Sequence, residues 1–346
     1  MADIIQAWRY PEVARCSTPL DPIEDCTAWI AGLRSAELSG QLLRRRHGFV
    51  KRREINEASK TIRAHAQGAI EFLDQAHSGP SRSSFLPLYY AMLNLAKVAI
   101  VFRGGALALQ KQRHHGASWS GIKSQASDLV NDHITVYGSG AISLFYRAVV
   151  GTSYPPLEGK VSLRQVYPLI PAVGFEYDQA YNARNVLQPV RVYFNQHDEK
   201  GWCVEITPSI HVHHPLSPKS PLLAGLQKCR DGKASRWSPA PDAASAHAAL
   251  SGQVKWWLLY HESMPEGQFT LTPTGRAGVV LPQEFPVLLA LFHLGNVVRY
   301  DPERLARLYD SRAAPVLEAL RRHGLLTYLV TLWSLFTQKQ HVISKV

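Results

Sequence analysis

Apolar residues along the chain set out most of its elements. Ile55, Ala58, Ile62, Ala66, Ala69, Ile70 and Leu73 recur at three- and four-residue intervals, which predicts an amphipathic helix over 55–76. The loop HSGPSRSS follows, and Ser83 or Ser84 can cap the next helix. That helix, 85–102, is apolar nearly all round and must be the buried centre of a bundle. Arg103-Gly104-Gly105 ends it. Shorter helices are expected near 121–130 and over 141–150. The period then changes. Segments 190–194 and 202–206 read as strands around a turn at 198–201, and 254–260 pairs in the same way with 268–271. A Pro/Ser/Ala-rich loop, 215–249, separates the two pairs. Helical patterns return at 282–298, 302–309, 313–323 and 325–338. The expected fold class is α+β, a mainly helical bundle with a small antiparallel β insert in the middle. Four regions follow: an irregular, basic segment 1–53 with one short helix near 25–33; a first bundle half, 54–150; the insert 151–280, which opens on a proline-punctuated linker; and a helical part 281–346 that packs back on the bundle. No internal repeat is present.

Composition narrows the function classes. Of 346 residues, 46% are hydrophobic, enough for a real core. No run reaches the roughly 18–20 apolar residues of a membrane span; the best, 86–102, is interrupted by Asn94 and Lys97. The N-terminus lacks a basic start and an apolar signal core, so a cytoplasmic protein without a membrane partner is expected. Cys16, Cys26, Cys203 and Cys229 are scattered and form no CxxC pair, which argues against a zinc ribbon or a disulfide framework. No P-loop, GxGxxG or GxSxG motif occurs, so kinase, dinucleotide-dependent and α/β-hydrolase chemistry lack support. No cofactor and no metal are expected.

Charge sharpens this picture. Lys and Arg number 38 against 27 Asp and Glu, a formal net charge of +11. Residues 41–63 hold eight basic and two acidic residues, peaking in RRRHGFVKRRE. Arg44, Arg45, Arg46, Lys51, Arg52 and Arg53 are therefore candidate nucleic-acid contacts, since phosphate binding releases counterions. The competing reading is a solvated face. Residues 81–150 hold seven basic and two acidic residues.

Polar residues on apolar helices mark candidate sites. Asn94 and Lys97 lie three apart on the most apolar helix, where a lysine is costly unless paired or able to snorkel outward. His293, Asn296 and Arg299 follow one another at three-residue intervals, bringing an imidazole, an amide and a guanidinium close together. Arg299 could clamp phosphate and His293 could serve as acid or base. The bland alternative is a helix C-terminus with a salt bridge. His115, in the turn His114-His115-Gly116, joins Asn94, Lys97 and Asn296 as an expected ligand contact. His211, His213 and His214 (HVHH) and Trp256-Trp257 are better explained as surface polarity and sheet core than as metal ligands and base-stacking rings.

Two blocks carry a resemblance. FLPLYYAMLNLAKVAIVFRGG (85–105) with HHG (114–116), and FHLGNVVRYDPERL (292–305), together resemble the YaaC-like family of bacterial proteins, whose members share a YY-x-x-LNLxK helix and a later helix ending in an RY-x-P turn. The first block is also similar to the core helix of the HEPN superfamily. That resemblance implies a helical bundle that binds RNA or nucleotides, that in many members cleaves RNA without a metal, and that often serves in antiphage defence or stress response. Here the ribonuclease pattern of Arg followed at short range by His has no clean copy. Arg299-Tyr300-Asp301-Pro302 has no His after it, and Arg113-His114-His115 is too compact. The expectation is therefore binding of nucleic acid, RNA foremost, or of a nucleotide. Endoribonuclease chemistry at Arg299 and His293 remains the enzymatic alternative. A non-catalytic scaffold docking a protein partner or a second copy through the apolar run LLTYLVTLWSLF is one rival, and a small-molecule or nucleotide sensor at Asn94/Lys97 is the other.

Overall fold

A computed structural model describes residues 5–6, 13–18, 21–47, 51–104, 106–112, 114–119, 128–150, 159–182, 188–197, 201–208, 227–228, 234–238, 258–260, 268–271 and 283–345. The helices are α1 (Pro22–Gly32), α2 (Ala36–His47), α3 (Arg52–Ser78), α4 (Phe85–Phe102), α5 (Ala106–Lys111), α6 (Ala141–Val150), α7 (Leu163–Val166), α8 (Gly174–Tyr181), α9 (Glu284–Tyr300), α10 (Pro302–Tyr309), α11 (Ala314–Ala319) and α12 (Leu325–Thr337). The strands are β1 (Ile5–Gln6), β2 (Val13–Thr18), β3 (Ala117–Trp119), β4 (His133–Val136), β5 (Gly159–Ser162), β6 (Gln188–His197), β7 (Gly201–Pro208), β8 (Gln227–Lys228), β9 (Ala234–Ser238), β10 (Leu258–Tyr260), β11 (Gln268–Leu271) and β12 (Gln340–Lys345).

Helix α4 is the axis of the bundle, as its uninterrupted hydrophobicity requires. Helices α3, α6, α9 and α12 all pack against it. The stretch Ser81–Phe102 is long and apolar enough to cross a membrane, but most of it is covered by this chain's own helices. Helix α12 is covered in the same way. Leu329, Val330, Leu332 and Leu335 are fully buried, Phe336 stacks near Phe102, and the Tyr328 hydroxyl donates to the Met92 carbonyl at 3.0 Å. The apolar run expected to need a partner thus finds one within the chain, on α1 and α4. A π-turn at Leu320–Gly324 makes α11 and α12 nearly continuous. The RYDP turn works by capping. Helix α9 stops at Tyr300, the Asp301 carboxylate accepts from the Arg304 amide at 3.0 Å, and Pro302 takes the first position of α10, where a missing N–H costs nothing.

The middle of the chain forms the antiparallel sheet its alternation predicts. Strands β6 and β7 make a hairpin, β10 pairs β11, and the order runs β10-β11-β6-β7-β9-β8, with β1 also on β6. Several features depart from expectation. Strands β8 and β9 fall within 215–249, a segment expected to be a loop. Residues 36–47, placed in an irregular basic region, form α2. A second antiparallel sheet, β3-β4-β5, lies within the bundle. A parallel pair joins β2 to β12. There Trp29 and Trp333 stack around His341, whose Nδ1 lies 3.6 Å from the Cys16 sulfur. The helix expected near 121–130 lies mostly outside the described residues, of which Leu129–Asn131 form one 3-10 turn. HVHH (211–214) and Trp256-Trp257 also lie outside them.

A buried carboxylate ties the small sheet to the C-terminal helices. Asp132 Oδ2 receives His293 Nε2 at 2.7 Å and Trp119 Nε1 at 2.8 Å, Oδ1 receives the His133 amide at 2.9 Å, and the Arg304 guanidinium forms an ion pair with Oδ2 at 3.0 Å. Asp132, His293 and Arg304 are 3%, 0% and 1% exposed. Burial alone would raise the Asp132 carboxyl, but the hydrogen bonds and positive charge around it outweigh that and hold it well below the usual carboxylate range. Burial pushes His293 down, so the neutral ring donates from Nε2 and Arg304 supplies the balancing charge.

Between these elements, the HHG turn is fixed by glycine. Gly116 and Gly140 both have positive φ, +89° and +97°, and sit back to back. A Cβ on Gly116 would lie 2.7 Å from the Ser139 carbonyl, and one on Gly140 would strike the Gly116 backbone. The turn is then pinned to the start of α6: the Ala141 and Ile142 amides donate to the carbonyls of His114 and His115 at 3.2 and 2.8 Å.

Two expectations follow. Asp132→Ala should cost about 3–5 kcal/mol in urea denaturation, because it strands two buried donors and the Arg304 charge, while Asp132→Asn should cost less by keeping an acceptor. Stability should also fall as pH drops below about 6.5. Burial depresses His65, His115, His293 and His341, the last to about 4. The unfolded chain then takes up protons that the folded chain refuses, so stability present above pH 6.5 is lost on acidification. A urea midpoint unchanged between pH 7 and pH 5 would contradict this.

Candidate anion site

The two blocks that carry the resemblance meet at His115. On α4, Tyr89 and Tyr90 are adjacent and face different neighbours. The Tyr89 hydroxyl and His115 Nδ1 share a hydrogen bond of 2.8 Å. Burial holds the Tyr89 phenol above its usual range, so the hydroxyl stays neutral. Tyr90 meets the same ring edge-on, with centroids 6.2 Å apart. From α9, Arg299 reaches the Tyr90 hydroxyl at 3.5 Å. Helix α9 comes close because Gly295 faces Tyr89; a Cβ there would lie 3.2 Å from the Tyr89 Cβ.

Electrostatics make this place unusual. Burial lowers His115, and the charges of Lys97, His114 and Arg299 lower it further. No carboxylate is hydrogen-bonded to this imidazole among the described residues. Lys97 is half-buried, is itself pushed down by desolvation, and has no carboxylate partner among the described residues. His65, on α3, is lowered by burial and by Lys97, against a favourable hydrogen bond with Asn94. Its Nδ1 lies 2.9 Å from Asn94 Oδ1, and the Asn94 amide donates to the Tyr90 carbonyl at 2.9 Å. Asn94 is thus spent on the protein, orienting His65. Two cations, Lys97 on α4 and Arg299 on α9, thus act on His115, with the imidazole of His65 on α3 held next to Lys97's helix by Asn94.

The remaining expected residues are distributed as follows. Asn296 donates back to the Phe292 carbonyl at 2.7 Å. His293 and Arg299 turn to different partners, His293 to Asp132 in the core and Arg299 to Tyr90 at the surface. The reason is helical drift: each three-residue step falls about 60° short of a full turn, so two steps carry the side chains well apart. Tyr300, beside Arg299, is 50% exposed, with the guanidinium 5.1 Å from its ring centroid.

The basic cluster of 41–63 lies on another face. Arg44, Arg45 and Arg46 occupy the last turn of α2, Lys51 precedes α3, and Arg52 and Arg53 open it. Arg44, Arg45, Lys51, Arg52 and Arg53 are exposed, and none is in a salt bridge with a described residue. Arginines in the last turn of α2 suit its dipole, whereas Arg52 and Arg53 oppose that of α3. Their charge therefore does nothing for the helix they begin.

Sequence reasoning passed over Asp132, Trp119 and Arg304, which position both blocks, and His65. The signal for the first was available: Asp128 and Asp132 are the two acidic residues of 81–150.

No curated protein and no solved structure matches the chain. The family model described as YaaC-like Protein matches residues 32–323, a span that includes both blocks, the HHG turn and the Asp132 node. The chain belongs to the YaaC-like family.

Proposed function

We propose that the chain binds nucleic acid, RNA foremost, or a nucleotide, and that the cluster of Lys97, His115 and Arg299 takes a phosphate group. The observation that carries this reading is the half-buried Lys97, which acts on His115 together with Arg299 and has no carboxylate partner among the described residues. A structural lysine at this depth would be paired or replaced, because desolvating an ammonium costs more than burying a methylene chain. Arg299 adds a planar fork suited to phosphate oxygens, and His115 adds an imidazole able to donate a hydrogen bond. The exposed arginines of α2 and α3 extend the reading to a nucleic-acid backbone. Binding rather than cleavage is favoured, since His293 is fully buried with its Nε2 committed to Asp132. A place in bacterial antiviral defence or a related stress response rests on the HEPN resemblance of α4. A sensor of small nucleotides would use the same cluster.

Lys97→Met is the direct test. It should raise stability by about 0.5–2 kcal/mol, as removal of a functional but strained group does, and at the same time abolish binding of nucleotide or short RNA measured by fluorescence anisotropy. A variant that is destabilised, or that binds as well as the parent, would sink the assignment. Separately, Arg52→Gln with Arg53→Gln should weaken RNA binding uniformly across sequences and flatten its salt dependence, by a slope of about 0.7 per lost contact for single strands.

A further inference from the structure

We infer that the Lys97–His115–Arg299 cluster takes a terminal phosphate, a phosphomonoester or the end of an oligophosphate, in preference to an internal phosphodiester. This rests on the reading that the cluster binds phosphate at all, and it goes beyond it by naming the chemical class.

Charge counting leads to this choice. Lys97 and Arg299 bring two cations, and His115 and His65 can each add one on protonation. Among the described residues no carboxylate partners Lys97, His115 or His65; His115 meets the Tyr89 hydroxyl and His65 the Asn94 amide. A phosphodiester carries one negative charge, whereas a phosphomonoester carries about 1.5 to 2 and has three terminal oxygens to accept hydrogen bonds. A diester would leave the cluster with excess positive charge; a terminal phosphate would neutralise it. Depth points the same way. Lys97, His115 and His65 are all half-buried, and they are set among Tyr89, Tyr90 and Asn94. An internal diester carries a nucleoside on each side, and both must be accommodated beside the phosphorus. A chain end carries one. The arginines of α2 and α3, fully open to solvent, have the opposite character and suit a continuous backbone of diesters. The half-exposed Tyr300 ring beside Arg299 offers a stacking surface for the single base that follows such a phosphate.

The test uses the full chain and two kinds of probe. In the first arm, a nucleoside 5′-monophosphate and a dinucleoside monophosphate, which contains only a diester, compete for the site. In the second, 3′-labelled RNA oligomers of one sequence are compared with a 5′-hydroxyl and a 5′-phosphate. The terminal phosphate should bind about tenfold or more tightly than the diester, roughly the worth of one additional charge-assisted contact. That preference should vanish in Lys97→Met and, as a check at an exposed position, in Arg299→Gln. A preference in the first arm alone would assign the site to free nucleotides, and a preference in both would assign it to RNA ends. Equal binding of monoester and diester, weakened alike by Lys97→Met, would overturn the terminal-phosphate inference while leaving phosphate binding intact. Absence of any Lys97-dependent binding would overturn both.

Discussion

One carboxylate organises the part of the molecule where both family blocks meet. Asp132 sits in the core with partners from three directions: hydrogen bonds from the Trp119 indole on β3 and the His293 imidazole on α9, and the charge of the Arg304 guanidinium on α10. In a low-dielectric interior such bonds are strong when every partner is present and costly when one is missing. This carboxylate therefore fixes how far the β3–β4 hairpin stands from α9. His115 precedes β3 by a single residue, and Arg299 lies at the far end of the helix that His293 anchors. The spacing between His115 and Arg299 is in this way set from inside the protein, by groups that are buried or nearly so.

The arrangement divides labour between two kinds of positive charge. Arg304 is buried, meets its carboxylate and works as structure. Lys97, Arg299 and the surface arginines of α2 and α3 meet no carboxylate among the described residues. A protein under selection for stability alone would pair or delete such charges, and a half-buried lysine beside histidines is the costliest of them. His65 and His115 both resist protonation, chiefly through burial and further through the charge of Lys97.

Much of the bundle was legible in the sequence because periodicity is local. Helices α3, α4, α6, α9, α10 and α12 follow their apolar spacing, and the RYDP turn follows from proline and aspartate chemistry. What escaped was short, masked or distant. Helix α2 hides Leu42 and Leu43 among four basic and imidazole side chains in LLRRRH, so its apolar stripe is brief. Strands β3 to β5 have three or four residues each, too few to display a two-residue period. The site was half legible. Lys97, His115 and Arg299 stand out as polar residues in apolar or glycine-marked settings. Their convergence depends on contacts between α4, α9 and the Gly116–Gly140 turn, which no local pattern encodes. The drift between His293 and Arg299 shows the limit of counting by threes: spacing predicts neighbours, but only over one step.

The strand pair of β2 with β12 joins residues whose contacts span 325 positions, as between Cys16 and His341. Closing so long a loop is entropically expensive until the helices between have already compacted. In a chain made from its N-terminus onward, β2 must wait for its partner until residues 340–345 have been made. The Trp29–Trp333–His341 stack therefore reports completion. It can form only after both halves of the bundle are in place, which makes indole emission from this corner a natural clock for the last step of folding.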